Sequence, residues 1–232
     1  EVEVYRHDPG RADSLAGDTV LSLLQARDGT LWVGTTGGLC RHRGAGFDCH
    51  RPPSDSTRGH WVWQLEERAD GGLHVGTSDA LWRFDFDGGT ARFQRWSGLP
   101  GANVLSILDE GDGHLWVGLS TGLQSLRGED WVAAEVQPGL RWAFPGRMVM
   151  SILRDHEEGL WFATSGGGLA RLPPAWRDFS VFRREPERSG SVPISLAQAR
   201  DGALLVVGHA SELERLDLGS GEIRTLRPGE DL

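Results

Sequence analysis

Lysine is absent from this chain, so all 24 basic residues are arginine. Tyrosine occurs once, methionine twice and cysteine twice. Positive charge is outweighed: the net charge is −9 and the pI is near 5.4. That balance excludes a general phosphate-backbone binder, and with it a nucleic-acid partner. No apolar run approaches the roughly 18–20 residues a membrane span needs. The opening stretch EVEVYRHDPG has neither a basic n-region nor an apolar h-region, so no signal peptide is visible in it. Any membrane contact is therefore expected only through regions outside these 232 residues. At 38% hydrophobic and 25% charged residues, the composition also excludes intrinsic disorder.

What the chain has instead is glycine, tryptophan and repetition. The 33 glycines and 10 tryptophans are largely periodic. Five segments align: DGTLWVGTTGGL (28–39), DGGLHVGTSDAL (70–81), DGHLWVGLSTGL (112–123), EGLWFATSGGGL (158–169) and DGALLVVGHASEL (201–213). Their anchor leucines, Leu31, Leu73, Leu115, Leu160 and Leu204, are separated by steps of 42, 42, 45 and 44. A short apolar run precedes each anchor: VLSLL, WVWQL, VLSIL, VMSIL and PISLA. A self-similarity of this length marks a repeat architecture.

Each unit reads as four short strands. The apolar run is the first, and an Asp-Gly or Glu-Gly turn follows, suited to the positive φ of a hairpin. The LWVGT-like second strand is apolar at consecutive positions, as in a strand covered on both faces. The third (GLCRHR, ALWRFD, GLQSLR) and the more polar fourth (FDCHR, ARFQRW, DWVAA, FSVFR, EIRTL) complete the unit. No segment shows a capped helical period. The expected fold is all-β, a β-propeller of four-stranded antiparallel blades at approximately 18–54, 55–98, 99–138, 143–186 and 190–228. A β-sandwich would lack the fixed period, and a β-helix would repeat sooner. Residues 1–8 read as the outer strand of a preceding blade, which makes the chain an arc of a larger ring. The alternative is a closed five-bladed ring.

The motif D-G-x-L-W-V-G-T-x-x-G-L after V-L-S-I-L resembles the two-component regulator propeller repeat, most closely at 20–39 and 104–123. Phe162-Ala163, Leu205 and His74 depart from it in single units. In that family the propeller is an extracytoplasmic sensor, joined through a membrane helix to a histidine kinase or diguanylate cyclase. The resemblance therefore implies a periplasmic, non-catalytic propeller that senses a small-molecule or carbohydrate ligand. It also implies neighbouring domains of the same protein as partners, and a homodimer. The competing readings are a cell-envelope propeller lyase or hydrolase, which needs convergent polar groups, and a protein-interaction scaffold. No cofactor and no metal is expected.

Several constellations can be weighed residue by residue. If Gly44-Ala45 forms a two-residue turn, Cys40 and Cys49 face each other within disulfide range. A bond there suits an oxidising compartment, and the alternative is two reduced thiols. Asp28, Asp70, Asp112, Glu158 and Asp201 recur once per blade at one hairpin turn, too dispersed for paired-carboxylate catalysis. Ser165-Gly166-Gly167-Gly168 has no lysine and no following helix, so it reads as a turn and not a phosphate loop. Asp155-His156-Glu157 is the densest cluster of metal-type ligands and reads as a solvated loop. Trp32, Trp82, Trp116 and Trp161 fit an inter-blade core. Arg58, His60 and Trp61, with Arg141, Trp142 and Arg147, stand in loops that enter a first strand. Arginine beside tryptophan suits an acidic or hydroxyl-rich ligand, and ordinary loop packing is the alternative.

Overall fold

A computed structural model describes residues 2–53, 59–111, 113–127, 130–133, 148–172, 174, 180–182, 193–199, 201–208, 213–217 and 222–226. Among the described residues there is no helix. The first sheet holds β1 (Val20–Gln25), β2 (Leu31–Thr35), β3 (Gly38–Arg43) and β4 (Gly46–His50). The second holds β5 (Val62–Glu67), β6 (Leu73–Thr77), β7 (Leu81–Asp87) and β8 (Thr90–Arg95). The third holds β9 (Val104–Asp109), β10 (Leu115–Leu119), β11 (Gly122–Arg127) and β12 (Asp130–Ala133). The fourth comprises β13 (Val149–Arg154), β14 (Leu160–Thr164), β15 (Gly168–Leu172) and β16 (Ser180–Phe182). The fifth comprises β17 (Pro193–Gln198), β18 (Leu204–Gly208), β19 (Leu213–Leu216) and β20 (Ile223–Leu226). Every sheet has four strands in chain order. Each is the meander of a propeller blade. The chain forms two compact units, residues 1–117 with 126–131, and residues 118–125 with 132–232.

The second strands are the most buried, as their unbroken apolar sequence requires. All five residues of β6, β10 and β14 are buried. In the first unit, Trp32, Leu39, Val62, Leu73, Val75, Trp82 and Phe84 form one core cluster. In the second, Trp161 packs with Ala163, Leu169, Leu204, Val206 and Leu216. The repeat tryptophans Trp32, Trp116 and Trp161 are 6%, 4% and 0% exposed. Trp82 is 6% exposed, and its Nε1–H donates to Thr77 Oγ1 at 3.2 Å.

The turn joining the first two strands of each blade is built differently from a two-residue hairpin. Ala26 N–H donates to Thr30 O (2.9 Å) and Gly29 N–H to Ala26 O (2.8 Å). Only the last turn residue is left-handed, with Gly29, Gly71 and Gly202 at φ 83°, 88° and 90°. The aspartate before it caps the turn. Asp28 Oδ1 accepts from Thr30 N–H at 2.8 Å, and Asp70 Oδ1 from Gly72 N–H at 3.1 Å. In the fourth blade the same pattern, Asp155 N–H to Gly159 O and Glu158 N–H to Asp155 O, puts Glu158 in the left-handed position at φ 67°. Glu157, not Glu158, therefore matches Asp28, which shifts the sequence alignment there by one residue. A left-handed side-chain residue costs roughly 1–2 kcal/mol relative to glycine. Glu158→Gly is accordingly expected to stabilise the protein by about 1 kcal/mol, read as a higher urea midpoint. An unchanged or lower midpoint would show that the turn tolerates the glutamate without strain.

Residues 2–8 form no strand in this structure. Tyr5 instead sets its ring edge-on against Phe47 at 5.2 Å and His42 at 5.7 Å. His7 N–H donates to Asp18 Oδ1 at 2.7 Å.

Candidate functional site

The residues singled out in the entering loops are described only in part. Arg58, Arg141, Trp142 and Arg147 lie outside the described residues. His60 is half-buried, its Nδ1 3.0 Å from Pro52 O. Trp61 is 38% exposed and packs at 5.3 Å against Trp63. His60 and Trp61 thus flank the start of β5, one held by backbone and the other presented to solvent.

Cys40 and Cys49 face each other across β3 and β4, in the register Arg43–Gly46, His42–Phe47, Arg41–Asp48 and Cys40–Cys49. Gly44 supplies the positive φ, 63°, that the two-residue turn needs. The sulfurs are bonded, with Cα atoms 4.0 Å apart. Cys40 is buried with Leu15, Val33 and Phe47, and Cys49 packs half-buried against them.

The polar cluster of the fourth blade has a structural role. Asp155 is 3% exposed, yet every face of its carboxylate is occupied. Oδ1 accepts from Glu157 N–H (2.9 Å) and Gly159 N–H (2.7 Å). Oδ2 accepts from Trp161 Nε1–H (2.6 Å) and Arg171 Nη2–H (3.2 Å). Burial pushes this carboxyl up, but the Trp161, Gly159, Glu157 and Arg171 donors together hold it below the usual range. Trp116 and Glu110 repeat the pairing one blade earlier, Nε1 to Oε2 at 2.9 Å. The repeat tryptophan is thus tied in two blades to an acid six residues before it.

The first unit holds a cleft of about 270 Å³ that the sequence reading did not assemble. Arg68, Asp70, His74, Arg83, Trp96 and Asp109 line it. His74 stands on β6, where three of the other four blades carry tryptophan, and is 4% exposed. Its Nε2 lies 3.2 Å from Asp109 Oδ2, while Asp109 Oδ1 accepts from Gly111 N–H at 2.9 Å. Across the strand pair from His74 stands Glu66. Burial, with the negative charges of Asp109 and Glu67, pushes Glu66 up to about 7 against a hydrogen bond from the Asp109 backbone. Burial likewise pushes His74 down to about 4; Asp109 opposes this, and Arg68 and Arg83 add to it. Arg68 is held between Asp70 and Asp85, the latter at 3.0 Å. Arg83 lies 4.0 Å over the Trp96 ring, which sits 5.9 Å from His74 and 5.7 Å from Trp131.

The chain can now be placed among known proteins. Residues 14–37, from the lead-in to β1 through β2, match the family described as two component regulator propeller. No curated protein sequence matches the chain. Among solved structures, the extracellular domain of BT4673 from B. thetaiotaomicron, described as a hybrid two component system, is similar at a TM-score of 0.75 and 18% identity. That match covers 96% of this chain and 28% of the other. The corresponding domain of BT3049 gives 0.73 and 21%, covering 98% and 31%. Virginiamycin B lyase from Staphylococcus aureus gives 0.68 and 16%, covering 91% and 71%. The chain thus spans less than a third of these two extracellular domains. At these identities the likeness establishes the β-propeller fold. Function must come from the site.

Proposed function

Because residues 14–37 carry a two component regulator propeller repeat, we propose that this chain is a ligand-sensing propeller segment of a membrane-bound signalling protein. It is read as lying outside the cytoplasm, in the periplasm, and as non-catalytic. The repeat match is the observation that carries the reading, since the same motif recurs in register through five blades. The Cys40–Cys49 bond supports the location, because disulfides persist in oxidising compartments. A small-molecule or carbohydrate ligand is proposed to meet the entering loops of Arg58, His60 and Trp61, and of Arg141, Trp142 and Arg147. Occupancy would bias packing against neighbouring domains between two arrangements, and a dimer would pass that bias to a kinase or diguanylate cyclase output.

Alkaline phosphatase fused in the parent gene after Leu232 tests the location, and it is expected to be active. β-Galactosidase at the same point is expected to be inactive. The reverse pattern would place the propeller in the cytoplasm and end the sensor reading. Likeness to the lyases over most of their length gives the enzyme reading its one specific support. Turnover of virginiamycin B by the purified chain would replace the sensor with an enzyme, and the expected result is no turnover.

A further inference from the structure

Two grooves of the first unit occupy equivalent places in the repeat, and they differ in how far side chains fill them. Between the first and second sheets, Asp28, Trp32, Arg41, Leu73 and Phe84 line a space of about 100 Å³. Their counterparts 42 residues on, Asp70, His74, Arg83, Leu115 and Leu126, line the 270 Å³ cleft. The small groove is an aromatic joint. Trp32 packs edge-on to Phe84 at 5.2 Å and to Phe86 at 6.1 Å, and Arg41 lies 4.9 Å over Phe86. In the large one the tryptophan has become His74, and the counterpart of Phe84 is Leu126. Two aromatic side chains of one joint, Trp32 and Phe84, are therefore replaced by the smaller His74 and Leu126 in the next. Where a repeat breaks its own packing rule without filling the space, a functional cause is the first to consider.

We propose that this cleft is a binding site for a small hydroxycarboxylate. Arg83 is the group that sets the charge. Its guanidinium rests on Trp96, and among the described residues no carboxylate pairs with it, whereas Arg68 is already neutralised by Asp70 and Asp85. A stacked guanidinium keeps its N–H edge free and fixed in plane, which suits a carboxylate taken in a bidentate pair. Asp109 supplies the complement. One of its oxygens is turned to Gly111 and the other to His74, and the remaining lone pairs accept from a hydroxyl. His74 Nδ1 and Trp96 Nε1 are buried without a partner, a cost that a joint selected only for packing would shed. The ligand class follows: one carboxylate for Arg83, with hydroxyls for Asp109, in a space of metabolite size. This inference does not rest on the sensor reading, since it concerns binding by the chain itself.

The test is calorimetric titration of the chain with D-gluconate, L-malate and L-tartrate, against D-glucose and erythritol as neutral polyols. At least one hydroxycarboxylate is expected to saturate, with the polyols silent. Arg83→Gln is expected to weaken binding by about tenfold or more, and Arg83→Lys, which keeps the charge but loses the fork, by less. His74→Trp returns the repeat's indole to the cleft and is expected to abolish binding without lowering the unfolding midpoint. Absence of binding by all three acids at about 10 mM would overturn the proposal, being weaker than useful recognition. Equal binding of glucose would overturn it as well. Unchanged affinity in both Arg83→Gln and His74→Trp would place any ligand elsewhere and defeat it too.

Discussion

Replacing Gly34 with alanine is expected to cost about 3 kcal/mol, and replacing it with valine is expected to prevent folding. The cause is the distance between neighbouring sheets. A Cβ at Gly34 would lie 2.2 Å from Ser22 Oγ and 2.7 Å from Val62 O, the backbone of the next blade's first strand. Gly76 repeats the arrangement one blade later, with Val104 Cγ1 at 2.7 Å and Val104 O at 2.9 Å. A flexible side chain could yield, but a strand held in its own sheet cannot do so without breaking ladder hydrogen bonds. The glycine of the LWVGT motif is thus the residue that lets one blade's second strand meet the next blade's first. The fourth blade carries Ala163 at this position, and there the methyl belongs to the core with Leu204 and Val206. Gly29→Ala is the control: nothing lies within 4 Å of its Cβ, and only its φ of 83° is at issue, so its cost is about 1 kcal/mol. Urea midpoints for the three variants check the order. A Gly34→Ala midpoint equal to or above that of Gly29→Ala would refute the close-approach argument.

The blades were legible because their information is local and repeated. An apolar run, a capped turn and a second apolar run suffice to set strands, and five copies correct one another. The Cys40–Cys49 register could be read because Gly44-Ala45 leaves a single way to close the hairpin. The fourth blade misled because Glu158-Gly159 imitates Asp-Gly. The true turn begins at Asp155, whose buried carboxylate is visible only once Trp161 and Arg171 converge on it. The cleft was the hardest to see. Arg83, Trp96 and Asp109 come from three strands or their ends and meet only through sheet packing. Its one trace in the sequence was a pair of departures in register, His74 for tryptophan and Leu126 a full step after Phe84. Each passes as ordinary variation when read alone. Read together, they empty one groove.

The same corner of the molecule governs its response to pH, and the expected result is a stability that stays flat between about pH 4.5 and 6.5. Glu66, raised from 4.5 to about 7, is protonated in the folded state across that window and ionised in the unfolded one. Its contribution is fully present below pH 4.5 and is lost as pH rises through 7. His74, lowered from 6.5 to about 4, is neutral when folded and charged when unfolded. Its contribution is fully present above pH 6.5 and is lost as pH falls through 4. Each shift amounts to about 3 kcal/mol. Across the shared window the folded state holds one proton on Glu66 and the unfolded state one on His74, so the two slopes cancel. Glu66→Gln removes one side of the balance. That variant is expected to gain about 3 kcal/mol over the parent at pH 8 and to lose stability steadily on acidification from 6.5 to 4. His74→Gln is expected to slope the other way, losing stability as pH rises from 4.5 to 7. The groups that set these values, Asp109 and Glu67 around the acid and Asp109, Arg68 and Arg83 around the imidazole, are left in place in both variants. Urea midpoints of the three proteins at half-unit steps from pH 4 to 8 supply the comparison. Parallel curves would mean that neither side chain changes its protonation on folding.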